Sequence, residues 1–307
     1  MERSVVVIGN FDGVHPGHRA VLAEARSREP GRRLIVVTFW PHPVSVLRPE
    51  VGPMLLTGLE ERIELLTAAG ADRVEVVTFT REFAAWSPQR FVDDILLPLN
   101  PARVVVGANF RFGHRAAGSV DTLRDLAAGR FEVEGITLIR YGDEETCSSL
   151  IREALAVGEV AHAAEHLGRP FSFRGVVARG DRRGRELGFP TANLPVPTDL
   201  ACPADGVYAG WLTRRDHRGP QGEPLPPGAD PQRWPAAISV GTNPTFDGHD
   251  RRVESYVLDR DDLELYDVAV VVEFIGRIRG QVKYTDIGAL ITQMGDDVAQ
   301  TRRLLGL

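Results

Sequence analysis

The 307-residue sequence predicts two units of different fold class, an α/β unit followed by an all-β unit. In the first half, short runs rich in Val and Ile alternate with stretches of helical spacing, which is typical of a parallel sheet with helices on both faces. From residue 171 onward the apolar runs are short and separated by Gly and Pro, which indicates antiparallel strands in a small barrel or sandwich. A last amphipathic stretch predicts a terminal α-helix.

The elements of the first half follow from the positions of these runs. Strands are predicted at residues 5–8, 34–39, 74–79, 104–106 and 136–139, and helices at residues 18–28, 59–69, 88–96, 120–128 and 149–157. In an open parallel sheet, ligands bind beyond the carboxyl ends of the strands. The segments that directly follow the strands are therefore the expected location of a functional site.

The second half has five further strand candidates and one helix. The strands are predicted at residues 173–178, 207–212, 236–240, 253–258 and 268–274, and the helix at residues 286–305. The apolar positions that define this helix are Ile287, Leu290, Ile291, Met294 and Val298. The polar, Gly- and Pro-rich residues 214–235 predict a mobile surface loop. We expect the units to meet near residues 167–170, which gives domains of residues 1–168 and 169–307.

The overall composition excludes several classes of protein. With 36 basic and 42 acidic residues the net charge is −6, which disfavours a general nucleic-acid binder. There is no apolar run of membrane-spanning length, and the N-terminal residues do not resemble a signal peptide, so a cytoplasmic protein without a membrane anchor is expected. Cys147 and Cys202 have neither zinc-site nor disulfide spacing, and both are expected to be reduced thiols.

The chain contains a single lysine, Lys283. A phosphate-binding P-loop requires a Gly-Lys-Ser/Thr sequence, and protein kinases require a lysine on a strand; Lys283 has neither context. Any phosphate group must therefore be held by backbone N–H groups, arginine, histidine or a metal ion.

The most informative segment, residues 9–18, follows the first predicted strand and leads into the first predicted helix. A glycine-rich turn lets the backbone approach a ligand, and the free N–H groups of a first helical turn attract anions. His15 and His18 are three residues apart, so they lie on one face of that turn. The segment predicts a phosphate site to which these residues contribute: Gly9, Phe11, Asp12, Gly13, His15, Gly17 and His18.

Two other segments are expected at the same edge of the sheet, residues 38–43 at the end of the second strand and residues 107–113 after the fourth. Asn109 follows the strand at residues 104–106, and Ser148 and Ser149 open a predicted helix that carries Arg152 one turn further on. Serine hydroxyls at a helix start can bind phosphate, although simple capping of the helix explains them equally well.

The second half holds a separate polar constellation. Glycines at 180, 184 and 188 surround a run of arginines and indicate a flap around a ligand, and Thr191 and Asn193 point to the same side of an extended segment. A hydroxyl oxygen and an amide oxygen on one face suit Mg²⁺ held with nucleotide phosphates. The alternative is a polar pair close to a turn.

These motifs resemble known enzymes in both halves of the chain. Residues 9–18 resemble the GxFDGxHxGH signature of the nucleotidyltransferase superfamily, and Phe-Pro-Thr-Ala-Asn at residues 189–193 resembles a riboflavin kinase motif. Nearly the whole chain is similar to the bacterial bifunctional riboflavin kinase/FAD synthetase family. The resemblance implies a Rossmann-like FMN adenylyltransferase domain at residues 1–168 and a barrel-shaped riboflavin kinase domain at residues 169–307. The substrates would be ATP, riboflavin and FMN, with Mg²⁺ as cofactor.

The resemblance also implies roles for individual residues. His15 and His18 would contact the ATP phosphates and stabilise charge in adenylyl transfer, with Arg152 as a third catalytic group; Asn109, Ser148 and Ser149 would bind nucleotide. Gly180 and Gly184 would bind nucleotide in the kinase, Thr191 and Asn193 would hold Mg²⁺ and the ATP phosphates, and Glu254 would be the catalytic base. Without the resemblance, a glutamate on a strand usually faces solvent.

The sequence departs from the family pattern at a few positions. Cys147 stands where a serine is common, Ser149 where threonine is usual, and Asp267 where relatives usually carry glycine. An aspartate tolerates the left-handed conformation better than most residues, so the turn at Asp267 is expected to survive. Three alternatives stay open: one active module only, a modified flavin as substrate, or a flavin-binding regulator without catalysis. The sequence is compatible with a homo-oligomer and does not indicate the number of copies.

Overall fold

The structure, a computed structural model, describes residues 2–136, 147–179, 188–226, 229, 231–242, 251–282, 284 and 286–307. The chain separates into two compact units, Met1–Ser148 and Ser149–Leu307, called here the first and the second unit. Gly180, Gly184 and Lys283 lie outside the described residues. The boundary between functional domains at residues 168 and 169 stays a prediction.

The first unit is built on a five-stranded sheet in which every described pair of strands is parallel. Its strands are β1 (Ser4–Ile8), β2 (Arg33–Trp40), β3 (Arg73–Thr78), β4 (Pro101–Gly107) and β5 (Glu132–Ile136). Their order across the sheet is β3-β2-β1-β4-β5, so β1 lies in the centre. The segments that follow β1, β2 and β4 therefore emerge side by side at one edge of the sheet.

Helices cover both faces of this sheet. They are α1 (Pro16–Arg28), α2 (Pro43–Leu47), α3 (Leu59–Ala68), α4 (Arg81–Ala84), α5 (Pro88–Phe91) and α6 (Val120–Ala127). Alternate residues of β1 belong to two separate apolar clusters: Val6 and Ile8 pack into one, and Val5 and Val7 into the other. Burial on both faces confirms the predicted α/β class.

Two elements of the first unit differ from the sequence prediction. The fifth strand begins four residues earlier than predicted, and residues 137–139 of the predicted run lie outside the described residues. Its alternation Glu-Val-Glu is that of an edge strand rather than of a buried apolar run. The helix predicted at 88–96 is regular only over α5 and continues as a π-helical turn at Val92–Leu96.

The second unit contains a curled, six-stranded antiparallel sheet, a half-barrel. Its strands are β6 (Phe171–Val176), β7 (Thr191–Pro195), β8 (Gly206–Arg214), β9 (Arg233–Thr242), β10 (Arg251–Val257) and β11 (Ala269–Arg279), in the order β6-β11-β8-β9-β10-β7. The two outer strands approach each other, because the N–H of Ala178 donates to the carbonyl of Asn193 at 2.8 Å just after β6. This unit confirms the predicted all-β class.

Among the described residues, three helices accompany the half-barrel: α7 (Ser148–Val157), α8 (Val160–Leu167) and α9 (Ile287–Leu305). Helix α8 packs against β6 and β11, and α9 packs against β8, β9 and β11. No helix in the described part of the chain is long and apolar enough to cross a membrane. Both cysteines are free thiols as predicted, and burial raises the pKa of Cys202 to about 12, so that thiol stays neutral.

Helix α9 is held by charge rather than by its apolar stripe alone. Asp297 is buried and accepts two hydrogen bonds from Arg279 of β11, at 2.8 and 2.7 Å. Ile287 and Ile291, which the sequence pattern placed on the packed face, are exposed. The bidentate pair fixes which side of the helix faces the sheet.

The segment predicted as a loop at residues 214–235 is partly ordered around Arg214. Its guanidinium is buried and donates to the carbonyls of Gly219 and Glu264, at 2.8 and 2.9 Å, and it pairs with Asp216 at 2.6 Å. Residues 214 and 233 already belong to β8 and β9, so the connection is shorter than the composition suggested.

The departure from the family pattern at Asp267 is also explained, because this residue adopts a left-handed φ of 62°.

Removing the carboxylate that holds α9 is expected to destabilise the second unit. Asp297→Ala leaves Arg279 without its partner, and a hydrogen bond to a charged group contributes about 1.5–3 kcal/mol. We expect the free energy of unfolding to fall by about 2 kcal/mol, measured by urea denaturation and circular dichroism. The exposed neighbour Asp296 is the matched control, and Asp296→Ala should change stability by less than about 0.5 kcal/mol. Equal effects of the two substitutions would contradict the assignment.

Candidate nucleotide sites

The connection between β1 and α1, residues 9–15, has an unusual backbone and is called here the β1–α1 loop. Phe11, Gly13 and Val14 all have left-handed φ values, of 51°, 81° and 43°. Glycine adopts this conformation freely, whereas a β-branched residue such as Val14 rarely does. Each such non-glycine residue costs about 1–3 kcal/mol, which the surrounding contacts must offset.

The side chains of the β1–α1 loop pack inward. Phe11 and Val14 are only 3% and 1% exposed and belong to the apolar cluster under α1. A Cβ atom on Gly9 would lie 2.9 Å from the Cζ atom of Phe11, so a larger residue here would displace the buried phenylalanine ring. The approach of the glycine-rich turn to a ligand stays a prediction.

The carboxylate of Asp12 holds the loop to the segment before α3. It accepts hydrogen bonds from the N–H groups of Leu56, at 3.0 and 3.1 Å, and Thr57, at 3.2 Å, and from the Thr57 hydroxyl at 3.3 Å. The Thr57 hydroxyl in turn accepts from the N–H of Gly13 at 3.2 Å. The side chain of Asp12 therefore binds other groups of the protein, and its role as a phosphate ligand stays a prediction.

Arg62 of α3 completes this network. It is fully buried and donates to the carboxylate of Asp12 at 3.1 Å, to the carbonyl of Asn10 at 3.0 Å and to the carbonyl of Thr57 at 3.3 Å. The carbonyl of Asn10 also accepts from the Thr38 hydroxyl at 3.0 Å.

Sequence reasoning missed Arg62, although a signal was present in α3. Arg62 is three residues after Leu59 and four before Leu66, so it occupies the apolar face of this helix. A charged residue in such a stripe indicates a buried partner, because an unpaired charge there would be costly.

His15 and His18 lie together as predicted. His15 is the buried N-cap residue of α1 and His18 belongs to its first turn. Their imidazole rings are stacked, with centroids 3.7 Å apart and an angle of 24° between the planes. Gly17, which directly precedes His18 in the sequence, is buried at the second position of α1.

The environment of His18 favours its neutral form. Burial lowers its pKa well below the usual value, and the neighbouring His15 and the cationic Arg62 lower it further. Its Nδ1 atom is buried and has no hydrogen-bond partner among the described residues. A neutral imidazole still offers one N–H donor, so His18 can bind an anion without carrying a fixed charge.

Two other predicted residues, Asn109 and Ser148, belong to the first unit. Asn109 is exposed just after β4, the neighbour of β1, and the hydroxyl of Ser148 donates to the carbonyl of Asp12 at 3.0 Å. After β2, His42 caps α2 by accepting from the N–H of Val44 and lies 3.3 Å from the amide of Asn10. Ser149 and Arg152 lie on α7 within the second unit, the first exposed and the second half-buried.

The second constellation lies on β7 and β10. The amide nitrogen of Asn193 donates to the hydroxyl and the carbonyl of Thr191, at 3.3 and 3.1 Å, so the two side chains share one face as predicted. In the register of the sheet, Glu254 is directly opposite Asn193 on one side and Ser239 on the other. The structure thus brings Glu254 next to the predicted metal pair.

The opposite faces of these strands form the core of the half-barrel. Ala192, Leu194, Val253 and Ser255 are all buried, whereas Thr191, Asn193 and Glu254 are half-buried. The strands therefore present their polar positions together on one side. A hydroxyl, an amide and a carboxylate at neighbouring positions can hold a cation and accept a proton.

Comparisons with known proteins match a different enzyme to each part of the chain. A family model for FAD synthetase matches residues 1–150, and one for riboflavin kinase matches residues 167–305. A curated bifunctional riboflavin kinase/FMN adenylyltransferase from Listeria monocytogenes is 35% identical, covering 97% of this chain and 91% of that protein. The protein of the same name from Escherichia coli is 34% identical, covering 100% of this chain and 94% of its own.

A solved structure matches nearly the whole chain. It is described as a macrolide-efflux protein from Streptococcus pneumoniae and matches with a TM-score of 0.83 and 30% identity, covering 98% of this chain and 94% of that one.

The fold and the matches define a transferase of two modules, each of which uses ATP. The chain belongs to the family of bifunctional riboflavin kinase/FMN adenylyltransferases. It has both activities, and its substrates are ATP, riboflavin and FMN.

The lowered pKa of His18 predicts how stability depends on pH. The folded protein binds fewer protons at this site than the unfolded chain, so stability should rise with pH through the range below about 6.5, the unfolded pKa. In His18→Gln, the gain in unfolding free energy between about pH 5.5 and about pH 7.5 should be smaller than in the unmodified protein, measured by urea denaturation. His162→Gln on α8, exposed to solvent, is the control. An unchanged pH dependence in His18→Gln would show that the group titrates as in the unfolded chain.

Proposed function

We propose that the β1–α1 loop and the start of α1 hold the phosphates of ATP for adenylyl transfer to FMN. The observation that carries this proposal is the strained loop at the carboxyl edge of the sheet, closed by the stacked pair His15 and His18. Gly9, Phe11, Asp12, Gly13 and Gly17 shape the backbone there, and Asn109 and Ser148 lie after β4 and beside Asp12. Ser149 and Arg152 stay predicted phosphate ligands on the family motif alone.

The chemistry of this step needs little from the protein beyond placement. An oxygen of the FMN phosphate attacks the α-phosphorus of ATP, the bond to the bridging oxygen of the β-phosphate breaks, and pyrophosphate leaves. The FMN phosphate is an adequate nucleophile and pyrophosphate is a good leaving group, so no protein nucleophile is required. Catalysis then depends on orientation and on stabilising the developing charge.

His18 suits this role in its neutral form. A neutral imidazole keeps one N–H donor, which can bind an oxygen of the phosphate. The negative charge of the triphosphate would then raise the pKa of His18 and favour its protonated form. The imidazole of His18 would therefore become positively charged when the nucleotide binds. This supports charge stabilisation as its function rather than nucleophilic attack.

The kinase reaction is proposed to take place at Thr191, Asn193 and Glu254. Glu254 would accept the proton of the ribityl 5′-hydroxyl while that oxygen attacks the γ-phosphorus of ATP and ADP leaves. The register that sets Glu254 opposite Asn193 supports this role, because it brings base and phosphate ligands to one face. Gly180 and Gly184 stay predicted nucleotide ligands.

The donor set at this place fits Mg²⁺. Thr191 supplies a hydroxyl oxygen. The side-chain nitrogen of Asn193 donates to Thr191, so the side-chain amide oxygen of Asn193 is the atom that would bind the ion. Magnesium prefers oxygen ligands, and it keeps several waters beside one or two protein groups and the substrate phosphates. When bound, the ion would neutralise charge on the transferred phosphoryl group.

Replacing the base should stop one reaction and spare the other. Glu254→Gln keeps the shape of the side chain and removes proton acceptance, so riboflavin phosphorylation should fall by roughly 10²–10⁴-fold. Adenylylation of added FMN should stay within about twofold, because the two reactions use different units. The control is Glu273→Gln, a glutamate of β11 that pairs with Arg233. Unchanged phosphorylation in Glu254→Gln would remove this residue from the mechanism.

The complementary change is in the first unit. His18→Ala removes a donor to the phosphates and should lower FAD formation by roughly 10²–10³-fold, while FMN accumulates from riboflavin. Chromatography of products after incubation with riboflavin, ATP and Mg²⁺ measures both steps at once. The control is His162→Ala, on α8. Equal loss of both reactions in well-folded His18→Ala would contradict separate sites.

Membership of the bifunctional family answers two of the alternatives that the sequence left open, a single active module and a regulator without catalysis. The domain boundary at residues 168 and 169, the cytoplasmic location and the oligomeric state stay predictions.

A further inference from the structure

We propose that Arg62, which lies outside every sequence motif, is the positioning residue that fixes the β1–α1 loop in the shape that binds phosphate. The inference rests on the proposed role of this loop as the ATP phosphate site. It goes further in assigning the shape of that site to a side chain 44 residues beyond His18 in the chain.

The contacts of Arg62 bracket the strained part of the loop. Its guanidinium donates to the carbonyl of Asn10 and to the carboxylate of Asp12, the two residues that flank left-handed Phe11. A third bond reaches the carbonyl of Thr57, whose hydroxyl accepts from the N–H of left-handed Gly13. One side chain therefore connects both sides of the turn to a fixed point on α3.

This geometry requires arginine rather than any cation. The guanidinium is planar and has five N–H donors in a fixed arrangement, so it can reach three acceptors in different directions. It also lies 5.3 Å from the centre of the Trp40 ring, the last residue of β2. A lysine could keep the charge near Asp12, but its compact ammonium group could not span the same three acceptors.

The electrostatic effect of Arg62 reaches the catalytic pair as well. Its positive charge is one of the causes that lower the pKa of His18, after burial and His15. Arg62 thus holds the loop in shape and at the same time disfavours a second cation beside it.

The test compares Arg62→Met and Arg62→Lys in both reactions of the full-length protein. Displacement of a binding group by about 1 Å can cost 10²-fold in rate. We expect Arg62→Met to lower kcat/KM for FAD formation by roughly 10²-fold, with a several-fold rise in the KM for ATP. Arg62→Lys should recover part of this loss. Riboflavin phosphorylation by the same chains should stay within about twofold.

The KM for ATP distinguishes positioning from a loss of folded protein. Partial unfolding of the first unit would lower the apparent kcat and leave KM unchanged, and that result would overturn the proposal. If Arg62→Met does not fold, Arg62→Lys carries the test: full adenylyl transfer by the lysine variant would overturn the need for three directed bonds.

Arg26 provides a matched control in the same unit. It also bonds to one carboxylate, that of Asp72, and to two carbonyls, those of Arg32 and Gly70, which lie near the opposite ends of the strands. Arg26→Met should leave the KM for ATP unchanged. His18→Ala in the same assay separates the two hypotheses: if it has no effect, the proposed phosphate site is wrong, and if it abolishes FAD formation while both Arg62 variants are normal, only the role of Arg62 is wrong.

Discussion

The buried pair of Asp12 and Arg62 is the interaction on which the first unit's site depends. The β1–α1 loop contains two non-glycine residues in left-handed conformations, Phe11 and Val14, and each costs about 1–3 kcal/mol. Burying two charges adds a desolvation cost that only complete hydrogen bonding can offset. Asp12 meets this condition, because two N–H groups, a hydroxyl and the guanidinium all donate to its carboxylate. The strained loop and the ion pair therefore require each other.

The buried position of His18 determines its charge state. Burial lowers the pKa of His18, and the neighbouring His15 and the guanidinium of Arg62 lower it further, so a positive charge on this imidazole is unfavourable in the free protein. The site can then avoid a permanent cluster of cations, which would repel one another in the free protein. This arrangement suits a chain with a single lysine, in which the proposed phosphate ligands are backbone, imidazole and arginine groups.

The sequence was informative where structure follows from local pattern and silent where it follows from distant contacts. Strands β1, β2 and β4 and the shared face of His15 and His18 could be predicted, because period and spacing determine them. The partner of Asp12 could not, since 50 residues separate it from Arg62. The prediction of the packed face of α9 was wrong in part for the same reason. Asp297 faces inward because it binds Arg279, a residue of a different element.

In the second unit, chemistry and packing are linked through the register of the sheet. Ala192 and Leu194 alternate with Thr191 and Asn193, and Val253 and Ser255 alternate with Glu254, so every buried residue fixes the direction of its polar neighbour. A slip of one residue between β7 and β10 would turn Asn193 into the core and bring apolar side chains to the polar face. The cost of burying an unpaired amide excludes that register. The core of the half-barrel thus determines that Glu254 and Asn193 meet, and the motif residues only have to occupy the outward positions that the core leaves to them.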